Sequence, residues 1–354
     1  MWFELIATLI KIVVIVVGVL LLMAFMTWVE RRGLAMFQMR VGPNRVGPFG
    51  LLQPIADGLK LLFKEDFIPS RADKLLFLAA PIISFALATV VFTVIPFGDA
   101  VTILGRRVPF QIADINIGVL FVLGMTSLGV YGIVLAGWSP NSKYPLMGGI
   151  RSSAQMISYE LSLGLAVICV LLWANSLKLS EVVSSQAGLM RLFGVIPFPK
   201  WFVLNPVLFL AFLVFMLCGL AETNRVPFDL PEAESELVSG FHTEYGSMKF
   251  AMFFLGEYIA MIASSAMIVT LFFGGWHGPI PPFGSELLRL IISVVNFGGK
   301  LFCFLFFFVW VRATLPRLKY YQLMGLGWKV LLPLALVLVI VSGAVQAWAS
   351  GWLF

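Results

Sequence analysis

Charge is scarce in this sequence: only 12% of its 354 residues are Asp, Glu, Lys or Arg, about half the share in a water-soluble domain. That shortage, beside a 60% share of apolar residues, excludes a soluble globule. Histidine occurs twice, as His242 and His277, and cysteine three times, as Cys169, Cys218 and Cys303. The cysteines lie far apart inside apolar runs and away from the histidines, a spacing from which neither a zinc site nor an iron–sulfur site is built. Any electrons in the chemistry must therefore be carried by another subunit. A small-residue cleavage site is also missing from the first apolar run, which holds Lys11 and ends in Glu30-Arg31-Arg32, so the expectation is a retained first span and not a signal peptide.

What is abundant is hydrocarbon. A helix needs about 20 apolar residues to cross a bilayer, and eight runs qualify, at 3–29, 75–97, 115–137, 152–173, 203–221, 248–273, 288–312 and 328–349. The expected fold class is an all-α polytopic membrane protein of eight transmembrane helices, a single membrane domain over 1–354. An even number of spans puts both termini on one side. Sixteen of the 24 basic residues then fall on the opposite face, in the loops around 31–74, 143–151, 225–249 and 312–329, with seven on the terminal face and Lys300 inside a span. The positive-inside rule makes the richer face cytoplasmic and both termini external. The net charge of +6 is thus mostly an orientation signal, and nucleic acid is not expected as a partner.

Three segments on the basic face carry more than loop composition. In the first, turn formers at Gly42-Pro43-Asn44 and Gly47-Pro48-Phe49-Gly50 precede a helical pattern at 50–66. Leu51, Leu52, Ile55, Ala56, Leu59, Leu62 and Phe63 recur on one side, and Gln53, Asp57, Lys60 and Lys64 on the other. Such a helix is too short to span and should lie flat at the interface, whether it merely anchors a loop or has a function. The second, 222–257 with its loop at 222–247, holds seven of the 18 acids: Glu222, Asp229, Glu232, Glu234, Glu236, Glu244 and Glu257. Pro227 and Pro231 oppose a continuous helix, and in an extended stretch Glu232, Glu234 and Glu236 aim to one side. Exposed to water, that strip is an ordinary charged loop. Glu257 inside the sixth run and Tyr159-Glu160 inside the fourth argue otherwise, because an ionised carboxylate at membrane depth costs several kcal/mol unless paired or hydrated. The expectation is a hydrated, protonatable file. The third segment, 312–329, reads as a loop whose Arg312 sits at a span end, placed to snorkel or to pair with carboxylates of the second segment.

Long motifs now stand together. Glu30-Arg31-Arg32, then Gln38-Met39-Arg40-Val41-Gly42-Pro43-Asn44-Arg45-Val46-Gly47 and Leu52-Gln53-Pro54-Ile55-Ala56-Asp57-Gly58, resemble the first signature of the quinone-binding membrane ("heel") subunit of respiratory complex I, the proton-pumping NADH:quinone oxidoreductase. Ala221-Glu222-Thr223-Asn224-Arg225-Val226-Pro227-Phe228-Asp229-Leu230-Pro231-Glu232 is similar to its second, and Arg151 to Glu160, Glu244-Tyr245, Glu257-Tyr258 and Arg312 to Arg317 extend the likeness over nearly the whole chain.

The resemblance implies a lipid-accessible quinone tunnel lined by the first span, the amphipathic helix and the sixth span, with Arg31, Arg40, Asp57, Gly58, Arg225 and Arg312 on its side. It implies an acidic proton path through Tyr159, Glu160, Glu222, Glu232, Glu234, Glu236, Glu244 and Glu257. It further implies that quinone is the substrate, that no cofactor is bound by this chain, and that NADH, FMN and the iron–sulfur clusters belong to redox-arm partners. Small and antiporter-like membrane-arm subunits and lipid complete the expected surroundings, in a bacterial cytoplasmic membrane. A related subunit of membrane-bound hydrogenases, a stand-alone ion transporter and a pure scaffold remain as alternatives, and the roles of loops 98–112 and 174–202 stay open.

Overall fold

The computed structural model describes residues 2–103, 105–192, 196–229, 238–278 and 285–349. Helix α1, Trp2–Phe37, is almost unbroken hydrocarbon until Glu30. At about 1.5 Å per residue its 36 residues reach roughly 54 Å, against about 30 Å of bilayer hydrocarbon. The end carrying Glu30, Arg31 and Arg32 therefore overhangs. The apolar scan stops at these charges, but the helix runs through them, because nothing there breaks the backbone ladder before the turns at 38–50.

Helix α2, Gln53–Phe63, starts on Pro54 in its first turn and buries none of its residues. Ile55, Leu59 and Leu62 stay exposed along one side, and the helix rests on α1 and on the start of the later helix Ser247–Phe272. Asp73 caps α3 (Lys74–Val90) by accepting from the Leu75 and Leu76 amides. Helices α4 (Gly118–Trp138) and α5 (Lys143–Ala174) approach closely at glycine, where a Cβ on Gly137 would lie 2.6 Å from the Pro145 carbonyl oxygen and 3.0 Å from the Gly149 Cα; a Cβ on Gly148 of α5 would lie 2.7 Å from the Phe241 amide nitrogen in the turn at 240–242. The short α6, Leu179–Ser185, precedes α7, Pro206–Glu222, which begins with a proline behind the capping side chain of Asn205.

Helix α8, Ser247–Phe272, is the axis of the bundle: 67% of its most apolar window is buried, against 11% for α1. Helix α9, Glu286–Thr314, and the last helix, α10, Tyr320–Ala349 with a π-helical turn at Gly327–Leu331, close the set. Among the described residues seven helices are long and apolar enough to cross a membrane, and α7 is a shorter apolar helix beside them. The protein is an all-α polytopic membrane protein with an amphipathic helix beside the bundle.

Two small hairpins lie where sequence patterning predicts only loops. β1 (Gly98–Ile103) pairs antiparallel with β2 (Arg106–Phe110), and β3 (Leu189–Leu192) with β4 (Ile196–Pro199). The first is fastened to α9, whose Ser293 hydroxyl and Glu286 carboxylate accept from the Asp99 and Thr102 amides at 3.0 and 2.9 Å. At the same end of the bundle, Lys300 on α9 donates to the carbonyls of Phe273 and His277, 2.8 Å each, satisfying acceptors left over where α8 stops.

Candidate functional site

The overhang of α1 places Glu30 among three donors from distant segments. Its side chain is 4% exposed and pairs with Arg225 (3.0 Å). Arg312 at the end of α9 pairs with the same oxygen, and the Tyr258 hydroxyl of α8 donates to the other at 2.6 Å. Arg225 also lies 4.2 Å from the centroid of the Tyr258 ring. Burial works against the Arg225 charge, yet Glu30, Tyr258 and Glu257 together outweigh it, and the guanidinium is held further into its charged form. Sequence reasoning reads Glu30 as the end of a span and part of the first signature, and leaves Arg312 to snorkel or to pair with the carboxylates of 222–257; the structure gives Arg312 to Glu30. Asp229 of that segment is taken by Arg317 at 2.9 Å. The segment itself is pinned by buried Gln155, whose amide donates to the carbonyls of Ala221 (2.8 Å) and Phe228 (2.7 Å).

One face of this cluster is the amphipathic helix. Arg31, next to Glu30, pairs with Asp57, and Gln53 donates to the other Asp57 oxygen at 3.0 Å. Gly58 is exposed, and a Cβ there would meet nothing within 4 Å. Arg40 stands apart, exposed, with its guanidinium on Gln38.

The other face is a cavity of about 110 Å³ between α3, α4, α5, α7 and α8. Its wall is apolar except for Glu222, Glu257, Asn224 and the hydroxyls of Ser84, Thr126, Thr223 and Ser264. Thr126 bonds Glu222, and Glu160, which accepts from Ser127, stands close enough to Glu222 for the two carboxyl groups to repel. The hydroxyls of Ser84 and Ser264 are buried with no protein partner among the described residues. A space of this size with such groups on its wall can hold water. Glu257 lines the cavity, and the next residue, Tyr258, touches Glu30. Arg225 feels the charge of Glu257 as well.

Tyr159 and Glu244, two further expected members of the acidic path, are not among the residues that line this cavity. Tyr159 is fully buried, and its hydroxyl donates to the Leu323 carbonyl on α10 at 2.8 Å. Glu244 is half-buried in the turn that leads into α8. Glu232, Glu234 and Glu236 lie outside the described residues. Among the described residues no three His, Cys, Asp or Glu side chains are grouped to hold a metal ion.

Fold and site together define a polytopic membrane protein with a buried cluster of ionisable groups on Glu30, close to an amphipathic helix and to a cavity inside the bundle. The family model for NADH dehydrogenase matches residues 10–343. The chain is 52% identical to the NADH-quinone oxidoreductase H-subunit of Thermomicrobium roseum over 93% of each chain. It is also 52% identical to the first of the numbered H-subunits of Geobacter metallireducens over 94% of each. Against the H-subunit of Ehrlichia chaffeensis it is 50% identical, covering 97% of this chain and 91% of that one. The chain belongs to the H-subunit family of NADH-quinone oxidoreductase.

Proposed function

We propose that this chain is the membrane subunit through which quinone reaches the redox arm of a proton-translocating NADH:quinone oxidoreductase, and that it passes the charge change of quinone reduction to a set of buried glutamates. NADH, FMN and the iron–sulfur clusters belong to redox-arm subunits in this reading, and antiporter-like and small subunits continue the membrane arm. The excess of basic loop residues on one face supports a bacterial cytoplasmic membrane with both termini periplasmic.

The physical argument starts from the substrate. A quinone has a long apolar tail and a polar head, so its passage must open to lipid and end among hydrogen-bonding groups. The exposed apolar side of α2, with Gly58 and the Arg31–Asp57 pair beside it, has this character. Reduction takes two electrons and two protons and builds negative charge on the way. Arg31 meets α2 through Asp57, Arg225 and Arg312 hold Glu30, and Arg225 also feels Glu257; a new negative charge near Arg225 and Arg312 weakens that hold. Carboxyl groups stripped of cationic help bind protons more readily. Glu160 and Glu222 are neighbours whose like charges repel, which suits them to one shared path. Glu232, Glu234, Glu236 and Glu244 extend the path toward the loop by family resemblance.

The observation that carries the reading is the placement of Glu257 and Tyr258: one lines the cavity shared with Glu222, the other bonds the Glu30 cluster. In membrane vesicles containing the assembled complex, Glu257→Gln and Glu222→Gln should each lower both quinone reductase activity and proton pumping. Full pumping with normal turnover in both variants would remove the glutamates from the path. Relatives named as oxidoreductase subunits favour this reading over the hydrogenase one.

A further inference from the structure

The start of α8 grips the end of α2, and none of the three residues that do so belongs to the groups considered so far. Ser247 places its hydroxyl 2.9 Å from the carbonyl oxygens of both Leu61 and Lys64. These are acceptors that the last turn of α2 cannot satisfy from within. Ser247 does so from a left-handed backbone, φ 52, which a residue bearing a Cβ adopts only at a cost. Two residues on, Lys249 is 7% exposed and pairs with Asp66 at 2.9 Å, just past the end of α2. Its ammonium also donates to the Phe67 carbonyl at 3.4 Å and lies 5.0 Å from the Phe77 ring centroid. Phe77 in turn stacks on Tyr245 at 4.1 Å, so the grip is backed by packed aromatic rings. The same helix carries Glu257 and Tyr258 about three turns further along.

We propose that Ser247, Lys249 and Asp66 are positioning residues that seat the C-terminal end of α2 on α8, and so set the width of the quinone passage beside α2. The proposal rests on the reading of α2 as a wall of that passage. Lys249 is buried whereas Asp66 is half exposed, which makes the two ends of the pair unequal. Removing Asp66 strands a buried ammonium, while removing Lys249 leaves a carboxylate that water can solvate.

The test uses the assembled complex, with Asp66→Asn, Lys249→Met, the double variant and Ser247→Ala, and with Gly58→Leu as a control on the passage itself. Asp66→Asn should raise KM for a long-tailed quinone several-fold with kcat for a short-tailed quinone unchanged. Lys249→Met should raise it less, and the double variant should return to the Lys249→Met value. Amides of residues 53–64 should exchange hydrogen faster in Asp66→Asn and Ser247→Ala than in the parent. Unchanged KM and unchanged exchange in all the grip variants, while Gly58→Leu raises KM, would overturn the seating role alone. If Gly58→Leu also leaves KM unchanged, the passage reading fails and takes the proposal with it. A fall in kcat shared by every quinone would mark general damage and likewise count against a seating role.

Discussion

Glu30 shows how much a single side chain can hold when three segments converge on it. It accepts from Arg225, Arg312 and Tyr258 while almost wholly buried. Removing one partner of a buried ion pair costs about 3–5 kcal/mol, because the charge left behind has no compensation. Glu30→Gln should therefore lower the thermal stability of the assembled complex markedly and depress quinone reductase activity. Tyr258→Phe, which deletes one hydrogen bond to a charged group, should cost less, about 1.5–3 kcal/mol. A thermal unfolding series on the purified complex separates the two, and equal stability of Glu30→Gln and the parent would deny the cluster its structural weight. At this scale the sequence is half legible. Glu160 and Glu257 announce themselves because a carboxylate interrupting an apolar run has no cheap local explanation. Glu30 carries the same signal, weakened by the arginines that follow it. Its partners lie 195 and 282 residues away, and no local pattern connects them.

Elements are the most legible level, since a span is a run of hydrocarbon and the bilayer sets its length. The exceptions are instructive. The apolar scan ends the first span near residue 29, yet α1 continues to Phe37, because a helix outside the hydrocarbon tolerates charge that a scan reads as an ending. The two hairpins escape sequence patterning because their stabilising contacts are tertiary, such as Glu286 to the Thr102 amide. The turn after α8 gives a test at this scale. His277 is held below its ordinary pKa, first by burial and further by Lys300, with Asp99 opposing. A group whose folded value is depressed favours its neutral form, so its contribution to stability is complete above about pH 6.5 and is lost as pH falls through the lower folded value. Thermal stability of the complex should decline between neutral and mildly acid pH, and His277→Asn should lose part of that decline. An identical pH profile in the variant would show that the turn does not report on His277.

The whole molecule is legible in class, because scarce charge and long apolar runs mark a polytopic membrane protein before any element is placed. Large apolar side chains stay exposed along α1, α9 and α10, among them Leu21, Ile291 and Ile340. Lipid can cover these, yet the exposed Met36, Met39, Val41 and Phe63 lie beside the charged end of α1 and around α2, where hydrocarbon ends and partner subunits are expected. Mild solubilisation of a tagged chain should bring iron–sulfur subunits and NADH oxidation with it. A chain recovered alone and well behaved would contradict that expectation. The adjacency of Glu257 and Tyr258 has one more consequence. Successive residues on a helix point about 100° apart, so the pair works like the two arms of a balance about the axis of α8. A twist of α8 moves both arms at once, and neither side of the network can be adjusted in private.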